Sequence, residues 1–83
     1  MEKIILKYLE GGPIFMEKHL IITGVSNISW KDAIVSAVAE ASKTLSYLSN
    51  VKIIEQRAKI DQDKLIQYYV DLDLSFIIDR DHN

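Results

Sequence analysis

The stretch "KLIQYYVDLDLSFII", residues 64–78, alternates along almost its whole length. Ile66, Tyr68, Val70, Leu72, Leu74, Phe76 and Ile78 fall on one side, and Gln67, Tyr69, Asp71, Asp73 and Ser75 on the other. A period of two is that of a strand with one buried face. Strands usually run about 5 to 6 residues, whereas this one at roughly 3.3 Å per residue spans close to 50 Å. A domain of this size has no width to cover it, so the surplus is expected to meet another subunit.

The remaining segments supply a helix and two more strands. "KHLIITGVS" reads as a short apolar strand that Gly24 ends or bends. In "SNISWKDA", Ser29 is placed to accept from first-turn N–H groups, with Asp32 as a shorter analogue of a capping-box acid. A helix is predicted from Trp30 to Leu48, because Trp30, Ile34, Val38, Ala41, Leu45 and Leu48 recur at steps of three and four. Ala33, Ala37, Ala39 and Ala41 keep it slim. After Asn50, "VKIIEQRAKI" is a second strand, and "DQDK" is a hairpin loop into the long third one. The order is β-α-β-β, an α+β fold whose three-stranded antiparallel sheet wraps on one helix. Strands two and three pair as a hairpin, and the first lies beside one of them. At roughly 28 Å the predicted helix is shorter than strand three.

Composition narrows the function classes. The chain of 83 residues is one domain, and at that size a monomer buries only about 60% of the surface its unfolded form exposes. It has no cysteine, which removes disulfides and thiolate metal sites and makes the cytoplasm the default compartment. Association with further copies is the remaining supplement to the core. No apolar run approaches the about 20 residues that span a bilayer. Net charge is −2, and the basic residues are scattered, which argues against nucleic acid as a partner. Residues 1–15 read as an amphipathic arm carrying Ile4, Ile5, Tyr8 and Leu9, or as an artefact of an upstream start, since Met16 opens a second "MEK". The domain proper is then 16–83.

Several local strings resemble the dodecin family. "LIITGVSNISWKDAI", with Thr23, Gly24, Ser26 and Trp30, is similar to the first strand and helix start of those proteins. "AVAEASKTL" resembles the middle of their helix, and "IIEQR" followed by "YYVDLDLSF" their later strands. The resemblance implies a homododecamer, twelve copies closed into a hollow shell without catalysis, with strand three contributing to subunit contacts. It further implies a site for flavin (FMN, FAD or riboflavin), in which a tryptophan before the second strand stacks on the ring and a glutamine early in the third bonds its edge. Gap-free alignment carries these positions onto Asn50 and Tyr69, and neither residue matches. Asn50 offers no stacking surface, whereas Tyr69 offers a ring and a hydroxyl.

The candidate ligand-binding residues are therefore Asn50, Tyr69 and Tyr47, the last three residues before Asn50. Asp71 and Asp73, two apart on the second face of strand three, are candidate oxygen ligands for calcium or magnesium, especially where symmetry gathers several copies. Asp61 and Asp63 fit turn chemistry better than a calcium loop, lacking its glycine and terminal glutamate. Trp30 is expected in the core or an interface. His19 has no partner near in sequence, His82 belongs to a charged tail, and Ser26, Ser29 and Ser42 have no accompanying base at a recognisable spacing, so nucleophilic catalysis has no support. The expected function is storage or buffering of a small, planar molecule by a shell. A structural or cation-binding shell without flavin is the alternative.

Overall fold

The structure is a computed structural model that describes residues 15–79. The arm read over the N-terminal residues lies outside the described range up to residue 14, as does His82. The elements are β1 (Phe15–Ser26), α1 (Trp30–Ala41), β2 (Leu48–Asp61) and β3 (Lys64–Asp79). The sheet order is β1-β3-β2, with both pairings antiparallel. β3 is thus central, which settles which strand β1 accompanies. A two-residue loop joins β2 to β3, with Gln62 at φ 52° and Asp63 at φ 66°. Both central residues in the left-handed region match the twist of the flanking strands, and short polar Asp tolerates that conformation best.

The alternation of β3 places its faces as the sequence requires. Val70, Leu72 and Leu74 are fully buried beneath α1, while Ile66 and Ile78 at the two ends are exposed. Ala33, Val70 and Leu72 form the centre of the core, with Ile22, Trp30, Ile34 and Ala37 packed around it. Trp30 sits edge-on to Tyr68 with ring centroids 5.0 Å apart. Its indole N–H donates to the Arg57 carbonyl at 2.8 Å, so a half-buried polar group is satisfied.

Three boundaries differ from the sequence reading. The helix ends at Ala41, seven residues before Leu48. The side chain of Ser42 donates to the Ala39 carbonyl at 2.7 Å, and Thr44 and Leu45 both return their N–H groups to Ala41. Serine and threonine that bond nearby carbonyls compete with helix continuation, and Tyr47 at φ 60° then turns the chain away. Leu48 accordingly opens β2, so Asn50 lies within that strand and not before it. Gly24 lies well inside β1 and neither ends nor bends its pairing, which continues in register to Ser26. The helix start is as expected: Ser29 caps it by accepting from the Asp32 N–H at 2.9 Å. The Asp32 carboxylate, however, accepts from the Ser26 hydroxyl at 2.7 Å.

With only 12 residues, α1 covers the middle of a β3 that has 16. The subunit is a long thin plate, 60 × 24 × 14 Å, with a radius of gyration of 16.7 Å. A compact chain of this length has about 11 to 12 Å. None of the described helices is long and apolar enough to cross a membrane.

Candidate functional site

The second face of the sheet carries a ladder of polar side chains, because β3 is central and both edges present their alternate residues beside it. Thr23 on β1 lies opposite Asp71, which also has Glu55 of β2 opposite it. One oxygen of Asp71, Oδ1, accepts from Thr23 Oγ1 at 2.8 Å and from Arg57 Nη2 at 2.9 Å. A single carboxylate therefore ties both edge strands to the centre. The hydrogen bond from Arg57, reinforced by that from Thr23, holds the Asp71 carboxyl below its ordinary range, and the same bond raises Arg57.

The sign of the linked stability follows. Because the folded state depresses the pKa of Asp71, its contribution is present above the unfolded carboxylate value of about 3.9 and is lost as pH falls through the lower folded value. Asp71→Asn is expected to lower the urea midpoint at pH 7, and its gap to the parent is expected to narrow as pH falls below the unfolded carboxylate value and the parent's Asp71 takes up a proton. A gap that stays the same as pH falls would show that the carboxylate charge is not what holds the clasp.

Further along the ladder, His19 Nδ1 lies 2.9 Å from Asp73 Oδ1 and 3.3 Å from Ser75 Oγ. The hydrogen-bond partners of His19 are thus on β3, out of reach of a reading by sequence proximity, but Glu17, two residues away on β1, also stands 3.9 Å from Nε2, so His19 does have an acidic neighbour near in sequence. A serine, a histidine and an aspartate meet here, but the hydroxyl and the carboxylate share one ring nitrogen. A relay needs them on opposite nitrogens, so this trio is a structural cross-strand cluster.

The candidates for ligand binding are spread apart. Asn50 lies opposite Ser75 while Arg57 lies opposite Tyr69, so Asn50 and Tyr69 are six β3 positions apart, roughly 20 Å at strand rise. Asn50 lines a cleft of about 200 Å³ with Val38, Leu48, Ser49, Val51 and Leu74. Tyr47 is exposed and lines a different cleft with Phe76 and Ile78, its carbonyl accepting from the Ile77 N–H at 3.1 Å. The Tyr69 hydroxyl donates to Gln67 Oε1 at 2.8 Å, and the Arg57 guanidinium carbon stands 5.2 Å from its ring centroid. One face of that ring is therefore already covered. No single subunit unites Asn50, Tyr47 and Tyr69, and a site using them must form between copies.

Asp71 and Asp73 do share one face, but each carboxylate is engaged, Asp71 with Thr23 and Arg57 and Asp73 with His19. Among the described residues, no three His, Asp or Glu side chains cluster closely enough to hold a metal ion. Arg57, Thr23, Gln67 and His19 are the ladder members that the sequence reading left unassigned. Their only signal was strand parity, which becomes usable once the register is known.

Comparison with known proteins places this geometry. The dodecin family model matches residues 17–79. Among solved structures, the dodecin from Streptomyces davaonensis is similar at 23% identity, covering 80% of this chain and 97% of that one, with a TM-score of 0.75. A protein from Thermus thermophilus is 29% identical over 80% of this chain and 97% of its own, also with a TM-score of 0.75. The calcium dodecin of Mycobacterium tuberculosis, a calcium chelating immunodominant antigen with a novel calcium-binding site, is 31% identical. It covers 74% of this chain and 87% of its own length, with a TM-score of 0.66. No curated protein matches the chain.

Proposed function

The chain belongs to the dodecin family, and from that premise we propose that it is a non-enzymatic protein whose copies, twelve in number, close into a hollow shell that binds or buffers a small molecule. One observation carries the assembly: apolar surface is misplaced for a monomer. Among the described residues only Ala33, Val70, Leu72 and Leu74 form a buried apolar core, whereas β2 exposes Val51, Ile53, Ile54 and Ile60 along its length. Val51 and Ile53 lie opposite Leu74 and Leu72, on the core face of the sheet; open apolar surface there on a small plate marks an interaction face, and more copies of the same plate are the partner that symmetry supplies. Light scattering is expected to report roughly 110 kDa, twelve times the 9.5 kDa chain. A stable monomer at micromolar concentration overturns the shell.

The ligand in this reading is a planar molecule such as a flavin, held between copies near Asn50. The cleft there has an apolar floor of Val38, Leu48 and Leu74 but no aromatic platform. Asn50→Trp is expected to supply one and to tighten riboflavin binding by about 1 to 3 kcal/mol, the scale of one stacked ring. Quenching of flavin fluorescence measures it. An intact Asn50→Trp particle that quenches no better than the parent argues for the second reading, a cation-binding shell. That reading is favoured by the 31% identical calcium dodecin and by the carboxylates of Asp71 and Asp73. It requires several copies to pool their oxygens, because one subunit offers no cluster. Calorimetric titration with calcium tests it.

A further inference from the structure

The helix layer stops before the sheet does. α1 ends at Ala41, and on the core face of β3 beyond Leu74 the side chain of Phe76 is half-buried and that of Ile78 is 38% exposed. These two line a cleft of about 320 Å³ with Leu45 and Tyr47, which belong to the chain leaving the helix. Tyr47 is the unusual member. Its φ of 60° lies in the left-handed region, which a bulky side chain adopts at a cost that glycine avoids. The bond from the Ile77 N–H to the Tyr47 carbonyl uses only backbone, so glycine would make it equally well. The ring nevertheless stands 65% exposed beside the cleft. A strained aromatic residue held over open apolar surface is accounted for by something that its ring contacts.

We propose that the occupant is this chain's own N-terminal segment, with Ile4, Ile5, Tyr8 and Leu9 seated in the cleft as a short helix that continues the layer begun by α1. Phe15 opens β1 opposite Asp79, one residue beyond Ile78, so residues 1–14 join the domain at this end of the sheet. Gly11, Gly12 and Pro13 stand just before β1 and allow the reversal that the seat requires. Ile4, Ile5, Tyr8 and Leu9 fall on one helical face. The lengths agree: Leu74 to Ile78 is roughly 13 Å at strand rise, and residues 1–10 as a helix span about 15 Å. A helix that short is marginal alone in water, so its order depends on the cleft. The short turn keeps the segment at high local concentration beside its own cleft, which favours it over the same segment of another copy. Tyr47 then serves this segment and not the planar ligand placed near Asn50, and the arrangement holds whether or not copies assemble.

Lys3 and Lys7 place two trypsin sites in the segment. In the full chain both are expected to be cut at least about tenfold more slowly than in a free peptide of residues 1–14, since cleavage follows the population of the open form. Tyr47→Gly removes the ring and relieves the backbone together. It should bring cleavage to the free-peptide rate while circular dichroism shows the domain still folded, and Tyr47→Phe should keep the protection. The chain has no cysteine, so Leu9→Cys combined with Ser46→Cys, on the rim of the cleft, should oxidise to a disulfide within one chain. A covalent dimer in its place puts the segment on a neighbouring copy and overturns the proposal. So does a parent cut as fast as the peptide, or equal protection in Tyr47→Gly. Light scattering on the same samples reads the shell separately, so the seat and the shell can fail independently.

Discussion

Leu72→Asp is expected to abolish the folded subunit at neutral pH. Leu72 is fully buried at the centre of β3, against Ala33, with Ile22, Ile34 and Ala37 packed round the same cluster. Truncating a buried leucine to alanine alone costs about 2 to 5 kcal/mol. An unpaired carboxylate in the same place adds several kcal/mol, whether it stays charged or takes up a proton to avoid it. Domains have only about 5 to 15 kcal/mol in all, and a small thin one sits low in that range. Far-UV circular dichroism should show the loss of the fold, while Leu72→Ala retains it with a lowered urea midpoint. Ile66→Asp provides the contrast: it is on the same face but 41% exposed, beyond the end of the helix, and should leave the subunit's signal intact. A Leu72→Asp protein with the parent's midpoint would mean that the other face of the strand is the buried one.

That the inward face of β3 was legible from its sequence has a simple cause. Alternation is a local property, and burial on one side of a central strand imposes it residue by residue. The hairpin loop was legible for a similar reason, since two consecutive left-handed residues need short or polar side chains. The end of the helix was not. Leu45 and Leu48 continue the three-and-four spacing of the apolar stripe past Ala41, so periodicity alone carries the helix on. What stops it is a set of hydrogen bonds returned to the Ala39 and Ala41 carbonyls, to the first by the Ser42 hydroxyl and to the second by the Thr44 and Leu45 N–H groups. Serine and threonine permit that exit without enforcing it.

The polar ladder was legible only in part. Tyr69, Asp71 and Asp73 could be placed on one face by parity, but the β1 partners of the two aspartates lie 48 and 54 residues away, Thr23 with Asp71 and His19 with Asp73. Pairings at that separation depend on which strand is central and on its register. The exposed apolar side chains of β2 gave no sequence signal either, because an isoleucine in a strand reads the same whether its own subunit or a neighbour covers it. This is why the length of β3 was the more informative hint of assembly.

Gly24 shows how a residue can be singled out for the wrong reason. Glycine suggests a break in a strand, yet β1 runs through this position with its pairing to Val70 intact. Space is what requires glycine there. A Cβ on Gly24 would lie 2.4 Å from the backbone oxygen of Ala33 and 3.1 Å from the Cβ of Ala37. The first distance is well inside contact, and the obstructing atom belongs to the helix backbone, which cannot turn aside as a side chain does. Gly24→Ala is therefore expected to lever α1 off the sheet just where Ala33 seals the core, at a cost of about 1 to 3 kcal/mol or more, and Gly24→Val to cost more still. Thermal melting followed by circular dichroism measures both. Adding Ala37→Gly separates the two contacts: it removes the Ala37 methyl but leaves the Ala33 carbonyl in place, and it costs a further about 1 kcal/mol of helix propensity. The combined variant should therefore melt no higher than Gly24→Ala alone. Recovery of the parent's melting temperature would identify the Ala37 methyl as the obstacle, and would mean that the helix backbone has room to withdraw without loosening the core.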